Sequence, residues 1–149
     1  MQIRRANPAD AESLAAIRRR AIRALAVPTI SLEEAEKWAR QITAGRIARA
    51  IQDHEVWVAV ETDVIGWVEV DRNCIAALYV SPSHARTGIG SALLAHAENS
   101  ILTSGSTAVY LDASRNALDF YLRRGYLRAG PPHADGAYPL RKPLIAAEP

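Results

Sequence analysis

The residue types and spacings best suited to chemistry lie in the run LYVSPSHARTGIGSALL, from Leu78 to Leu94. An apolar strand stops at Ser81 and Pro82, a loop carries Gly88 and Gly90, and a helical pattern starts at Ile89. Glycines let a ligand approach the main chain, and a helix start presents amide N–H groups without helical partners. Both features suit phosphate or diphosphate. A P-loop would continue from its last glycine into Lys and Ser/Thr, but Ser91 and Ala92 follow Gly90. A dinucleotide fingerprint would place a third small residue where Leu93 stands. Two alternatives remain: another kind of phosphate cradle, or a tight strand-to-helix turn that binds nothing.

A second segment weighs on that choice. LDASRNALDFYLRRGY (Leu111 to Tyr126) reads as a strand, a short helix carrying Phe120 and Tyr121, and then Arg124-Gly125-Tyr126 opening another strand. In this order the two segments resemble the GNAT acetyltransferase superfamily. Its loop motif is Gln/Arg-x-x-Gly-x-Gly/Ala, and its later segment is Ala-x-x-Phe-Tyr-x-x-x-Gly-Phe/Tyr. Gly88 and Gly90 match the first; Ala117, Phe120, Tyr121, Gly125 and Tyr126 match the second. The runs IAALYV and LDAS are similar to those of small stand-alone bacterial members. The chain departs from the family at Ala85, where the loop motif opens with Gln or Arg. It also departs at Ser114, where asparagine is frequent, and at Cys74, where some members carry a glutamate base.

The resemblance implies acetyl-CoA as cosubstrate and no metal, with the cosubstrate in a cleft where the Cys74–Val80 and Ala108–Asp112 strands part. The backbone of Leu78, Tyr79 and Val80 then pairs with the pantetheine amides, as in strand addition. The amides of Arg86, Thr87, Gly88, Ile89, Gly90 and Ser91 hold the pyrophosphate, with added charge from Arg86. Ser114, Phe120 and Arg124 complete the cofactor contacts. Tyr121 occupies the family's general-acid position for the departing thiolate; its bland alternative is a core aromatic at helical spacing. Glu69, beside the cleft strand, is the candidate base, directly or through water, or else a solvated strand carboxylate. The implied reaction is direct attack of a primary amine on the thioester in a ternary complex. An ammonium with a pKa near 10.4 must first lose a proton, at about 4–5 kcal/mol at neutral pH. Transfer to a protein lysine or N-terminus, and a CoA-binding sensor or partner domain without turnover, stay open. By the family layout Val27–Ser31, Trp38, Trp67 and Tyr138 flank the acceptor.

The elements that must position these residues follow from periodicity. Gln2–Arg5 reads as an edge strand. Asn7 caps a helix over residues 8–26, with Pro8 at its first position and a stripe of Leu14, Ile17, Ala21 and Leu25. Pro28 ends it. Ser31 and Glu34 open a second helix in a capping-box pattern, and a short third covers Arg46–Gln52 after Gly45. Strands follow at Glu55–Glu61, Val64–Asp71 and Cys74–Val80, with a helix at Ile89–Thr103. The chain closes with a strand at Ala108–Asp112, a helix at Ala117–Arg124, and strands at Tyr126–Ala129 and Ala137–Leu144. This is a mixed α/β sheet, antiparallel in front with a helical crossover behind. It matches the GNAT acyl-CoA N-acyltransferase fold, a mostly antiparallel sheet splayed at the cofactor cleft and flanked by helices.

Composition narrows the classes. With 149 residues, 49% hydrophobic and 23% charged, the chain reads as one globular domain over 1–149. Eighteen basic against sixteen acidic residues give +2, too little for nucleic-acid binding by charge. No run approaches the roughly 18 apolar residues of a membrane span, and MQIRRANPADAE lacks an export signal. One cysteine, Cys74, excludes an internal disulfide. The expectation is a soluble cytoplasmic protein with a small-molecule amine as partner and neither nucleic acid nor membrane. His54, His96 and His133 share no metal-ligand spacing, and His84 is a polar loop residue. Arg18, Arg19, Arg20 and Arg23 read as a solvated basic face or as a site for an acidic acceptor or partner. The strand near Ala137–Leu144 is expected at an edge, where it would suit a homodimer.

Overall fold

Asn7 both closes the first strand and opens the first helix. Its side chain accepts from the Ala9 N–H at 3.1 Å, and Asp10 accepts from the Asn7 N–H at 2.8 Å. Arg4 grips the Asp10 carboxylate with two nitrogens, at 2.9 and 3.1 Å. Strand β1 (Gln2–Arg5) thus passes through a 3-10 turn at Pro8–Asp10 into helix α1 (Ala11–Ala24). The computed structural model describes residues 1–24 and 30–145. The expected continuation of α1 through Leu25 and its stop at Pro28 lie outside the described residues.

Helix α2 (Leu32–Ala39) starts where Ser31 accepts from the Glu34 N–H at 3.1 Å. Helix α3 (Ala44–Asp53) begins earlier than its apolar pattern suggests. The Thr43 hydroxyl accepts from the Arg46 N–H at 3.3 Å, so Gly45 lies inside the first turn rather than interrupting the chain.

Seven strands form one sheet. After β1 come β2 (Glu55–Val60), β3 (Val64–Asp71), β4 (Cys74–Val80), β5 (Ala108–Ala113), β6 (Leu127–Arg128) and β7 (Tyr138–Pro143). Their spatial order is β1-β2-β3-β4-β5-β7-β6. Every pairing is antiparallel except β4 with β5, which are linked by helix α4 (Ile89–Thr103). Strand β7 lies between β5 and β6, so the late edge is the two-residue β6 and not the Ala137–Leu144 segment. Helix α5 (Leu118–Leu122) and β6 are shorter than expected, because Tyr126 is drawn into the core instead of opening the strand. Its hydroxyl donates to Glu98 at 2.7 Å, and Lys142 reaches the same carboxylate at 3.1 Å.

Helix α4 covers one face of the sheet, burying Leu93, Leu94, Ala97 and Ile101 against Val68, Val70 and Val109. Gly66 of β3 sets how closely that helix can approach. A Cβ there would stand 3.0 Å from Leu93 Cδ1 and 3.1 Å from the Tyr79 carbonyl oxygen. On the other face, α1 and α3 bury Leu14, Ile17 and Ile47 against Val56, Val58 and Trp67. Trp67 donates its indole N–H to the Leu14 carbonyl at 3.1 Å. No helix among the described residues is long and apolar enough to cross a membrane.

Candidate active site

Strands β4 and β5 share only two pairs, Cys74 with Tyr110 and Ile75 with Leu111. Beyond them the strands part. A register shift after Glu69 leaves Ala76 as the extra residue of a bulge, and Ala77 through Val80 pair with β3 alone. The opposite edge of that half-strand faces a cleft of about 440 Å³. Its walls are Ala21 and Ala24 of α1, Trp38 of α2, Ala76–Val80 of β4, Leu111–Ala113 of β5, and Ser114, Asn116, Ala117 and Tyr121. Leu78, Tyr79 and Val80 therefore line an open backbone edge that an extended ligand can extend.

The loop after β4 forms a 3-10 turn at Pro82–His84 and then turns left-handed twice, at Arg86 (φ 63°) and Gly88 (φ 87°). Alternating backbone of this kind gathers N–H groups into an anion-binding concavity. Gly88 is the N-cap of α4 and has no side chain to satisfy the first turn, so the amides of Ile89, Gly90 and Ser91 receive no cap. A Cβ at Gly90 would lie 3.5 Å from the Phe120 ring and 3.6 Å from Val80.

Ser91, Phe120 and Arg124 meet at this helix start. The Arg124 guanidinium lies 3.6 Å from the centroid of the Phe120 ring and donates to the Phe120 carbonyl at 2.7 Å. It also donates to Ser91 Oγ from Nε at 2.9 Å and from Nη2 at 2.6 Å. A cation beside the positive end of a helix is unfavourable by itself. An anion placed between them reverses that sign.

Tyr121 is 7% exposed and edges onto both Phe120 and Tyr126, at ring separations of 5.1 and 5.4 Å. Its hydroxyl donates to no group among the described residues. Burial pushes its phenol up, with a smaller contribution from Tyr79. The side chain of Tyr79, expected to matter only through its backbone, also lines the cleft and packs on Trp67 at 5.5 Å.

Glu69 lines a neighbouring cavity of about 260 Å³ between α3 and the sheet, which meets the cleft at Ala76, Ala77 and Tyr79. Its carboxylate holds His54 Nδ1 at 2.7 Å, and His54 Nε2 lies 3.6 Å from Asp71. Cys74 is exposed at the closed end of the strand pair. His84 sits 3.7 Å from Glu61, away from the cleft walls. Of the expected acceptor-side residues, Trp38 lines the cleft, Trp67 is buried in the core and Tyr138 stacks near Arg128. Residues 27–29 lie outside the described residues. Asn116 lines the cleft two residues after Ser114 and offers the amide missing at that position. Its place depends on the turn after β5, which no local spacing reveals. Among the described residues no group of three or more His, Cys, Asp or Glu could hold a metal.

A sheet splayed between β4 and β5, with an uncapped helix start at the mouth, defines an acyltransferase-type cleft. The acetyltransferase (GNAT) domain family matches residues 26–138, and this chain belongs to it as an N-acetyltransferase. It is 32% identical over 127 residues to the uncharacterized N-acetyltransferase YafP of Escherichia coli K12, covering 85% of this chain and 81% of that one. The GCN5-related N-acetyltransferase of Rhodopseudomonas palustris has the same fold, with a TM-score of 0.88 at 24% identity over 96% of this chain and 95% of that one. PaiA N-acetyltransferase of Thermoplasma acidophilum, solved with coenzyme A, gives 0.83 at 22% identity, covering 95% and 98%. YncA of Salmonella typhimurium, solved with acetyl-CoA, gives 0.69 at 19%, covering 100% and 96%.

Proposed function

We propose that the chain moves an acetyl group from acetyl-CoA to a primary amine by direct attack, with Tyr121 as general acid. The observation that carries this reading is Tyr121, a largely buried side chain on the wall of the cleft that opens between β4 and β5, whose hydroxyl has no hydrogen-bond partner among the described residues. The β4 edge at Leu78–Val80 orients the pantetheine arm, with Asn116 and Ser114 opposite. The turn from Arg86 to Ser91 holds the diphosphate, and Arg124 adds charge beside it. Acetyl-CoA supplies an activated carbonyl carbon and a thiolate leaving group. The amine nitrogen bonds to that carbon, the carbon–sulfur bond breaks, and the ammonium proton leaves toward water and Glu69.

Tyr121 holds its proton at the sulfur. A buried phenol is a weaker acid than a thiol near 8.5, so the hydroxyl mainly stabilises the developing thiolate by hydrogen bonding. Any transfer of that proton to sulfur is uphill and short-lived, and the phenoxide it leaves regains a proton from water. A thiol-release assay with acetyl-CoA across a panel of small amines, peptides and proteins tests the reading. Release that depends on one amine supports it, and acetyl-CoA binding without release from any acceptor rejects it.

A further inference from the structure

Arg18 does not belong to the solvated basic face that its neighbours suggest. It is 2% exposed, whereas Arg23 on the same helix pairs with Glu36 at 2.8 Å near the surface. Among the described residues no carboxylate forms an ion pair with Arg18. Its Nη1 donates to the Ala39 carbonyl at 3.1 Å and its Nη2 to the Trp38 carbonyl at 3.2 Å, while Nε has no partner. The last carbonyls of α2 offer about half a negative charge, so the cation is only partly offset. An isolated buried cation costs stability that an apolar side chain of similar volume would not.

The surroundings show what it serves. Two of the three contacts described for Arg18 lead to walls of the cleft. Trp38 is held through its carbonyl, and the Tyr79 ring lies 5.7 Å from the guanidinium. Burial pushes the Tyr79 phenol up, and Arg18 pulls it back. The titratable groups facing this point are Tyr79 of β4, Tyr121 of α5 and, farther off, Glu69 of β3, which is bonded to His54.

We propose that Arg18 is a positioning residue for the acceptor half of the cleft. Through Trp38 and Tyr79 it fixes two walls and holds them at a positive potential, which favours an acceptor bound as free amine over one bound as ammonium. This rests on the transfer reading above.

The test compares kcat against pH for the wild type, Arg18→Met and Arg18→Lys, with acetyl-CoA and the best amine saturating. Without the cation the acid limb moves up by about one pH unit, so kcat falls about tenfold at pH 7 and recovers at high pH. Arg18→Lys keeps the limb in place, and acetyl-CoA affinity stays unchanged in both variants. A folded Arg18→Met with an unmoved limb, or with the same loss at every pH, overturns the proposal. If Arg18→Met does not fold, Arg18→Gln retains a donor to the α2 carbonyls and takes its place. Near-ultraviolet titration of the tyrosines, with Tyr79→Phe to assign the signal, needs no turnover. It should show Tyr79 ionising at higher pH in Arg18→Gln, and an unmoved transition overturns the proposal. If the wild type acetylates no amine, the transfer reading fails, while this titration still decides on Arg18.

Discussion

Arg124 binds Ser91 Oγ with two nitrogens while its guanidinium carbon stands 3.6 Å from the centroid of the Phe120 ring, so α5 is tied to the first turn of α4 by one side chain. Arg124→Ala removes that tie and a positive charge beside the proposed diphosphate. Affinity for acetyl-CoA should fall about tenfold, as for loss of a charge-assisted bond, and kcat should change much less. Calorimetric titration at two ionic strengths reads both the loss and its screening.

Removing one oxygen separates chemistry from packing at Tyr121. Tyr121→Phe keeps the ring contacts with Phe120 and Tyr126. We expect kcat to drop by roughly 10²-fold or more with acetyl-CoA affinity retained. Wild-type turnover in this variant would exclude the acid role.

Gly66 and Gly90 give two different tests of the same helix start. At Gly66 an added Cβ meets the Tyr79 carbonyl at 3.1 Å, which is backbone and moves only with β4. Gly66→Ala should cost about 1–3 kcal/mol in denaturant unfolding and weaken acetyl-CoA binding together with stability.

Gly90 has room for a Cβ but not for more, since Phe120 and Val80 stand 3.5 and 3.6 Å away. The two methyls of Gly90→Val press on Phe120 and Val80 and should cost about 1–3 kcal/mol of stability. Acetyl-CoA affinity should fall by at least about tenfold. Unchanged affinity by titration would contradict the phosphate role of the turn.

The His54–Glu69 contact gives a pH signature. The bond to Glu69, helped by Asp71 and Asp53, holds His54 above its usual value against burial. A raised folded-state value stabilises the fold fully below the unfolded value of about 6.5. That contribution disappears as pH rises through the folded value. The difference in Tm between wild type and His54→Gln should therefore be largest near pH 6 and vanish on the alkaline side. The histidine side chain is one-third exposed, so added salt should shrink the effect.

The boundaries of β4 and α4 were legible because Ser81-Pro82 and Gly88 punctuate them, whereas Gly88, Gly90, Phe120 and Tyr121 stood out as candidates only through the resemblance of their two segments to the family. The bulge at Ala76 was not, since CIAALYV reads as an unbroken strand whose register depends on β3. Arg18 was hidden for the opposite reason. Three arginines in a row look solvated, and only the docking of α2 onto α1 buries the first of them. The family layout puts Trp67 on the acceptor side, where it lines the smaller cavity with Glu69, but the commitment of its indole to Leu14 across the sheet was not visible. Such outcomes arise from partners far away in sequence, which a local pattern does not contain.

The outer half of β4 leaves a row of main-chain donors and acceptors with a β3 partner on one side only. A guest lying along that row finishes the fold as well as occupying it. Resistance to unfolding then tracks the guest's abundance, rising about 2.7 kcal/mol at a hundredfold excess over its dissociation constant. With the proposed acyl donor as that guest, the durability of the protein, and not only its speed, becomes a gauge of the donor around it.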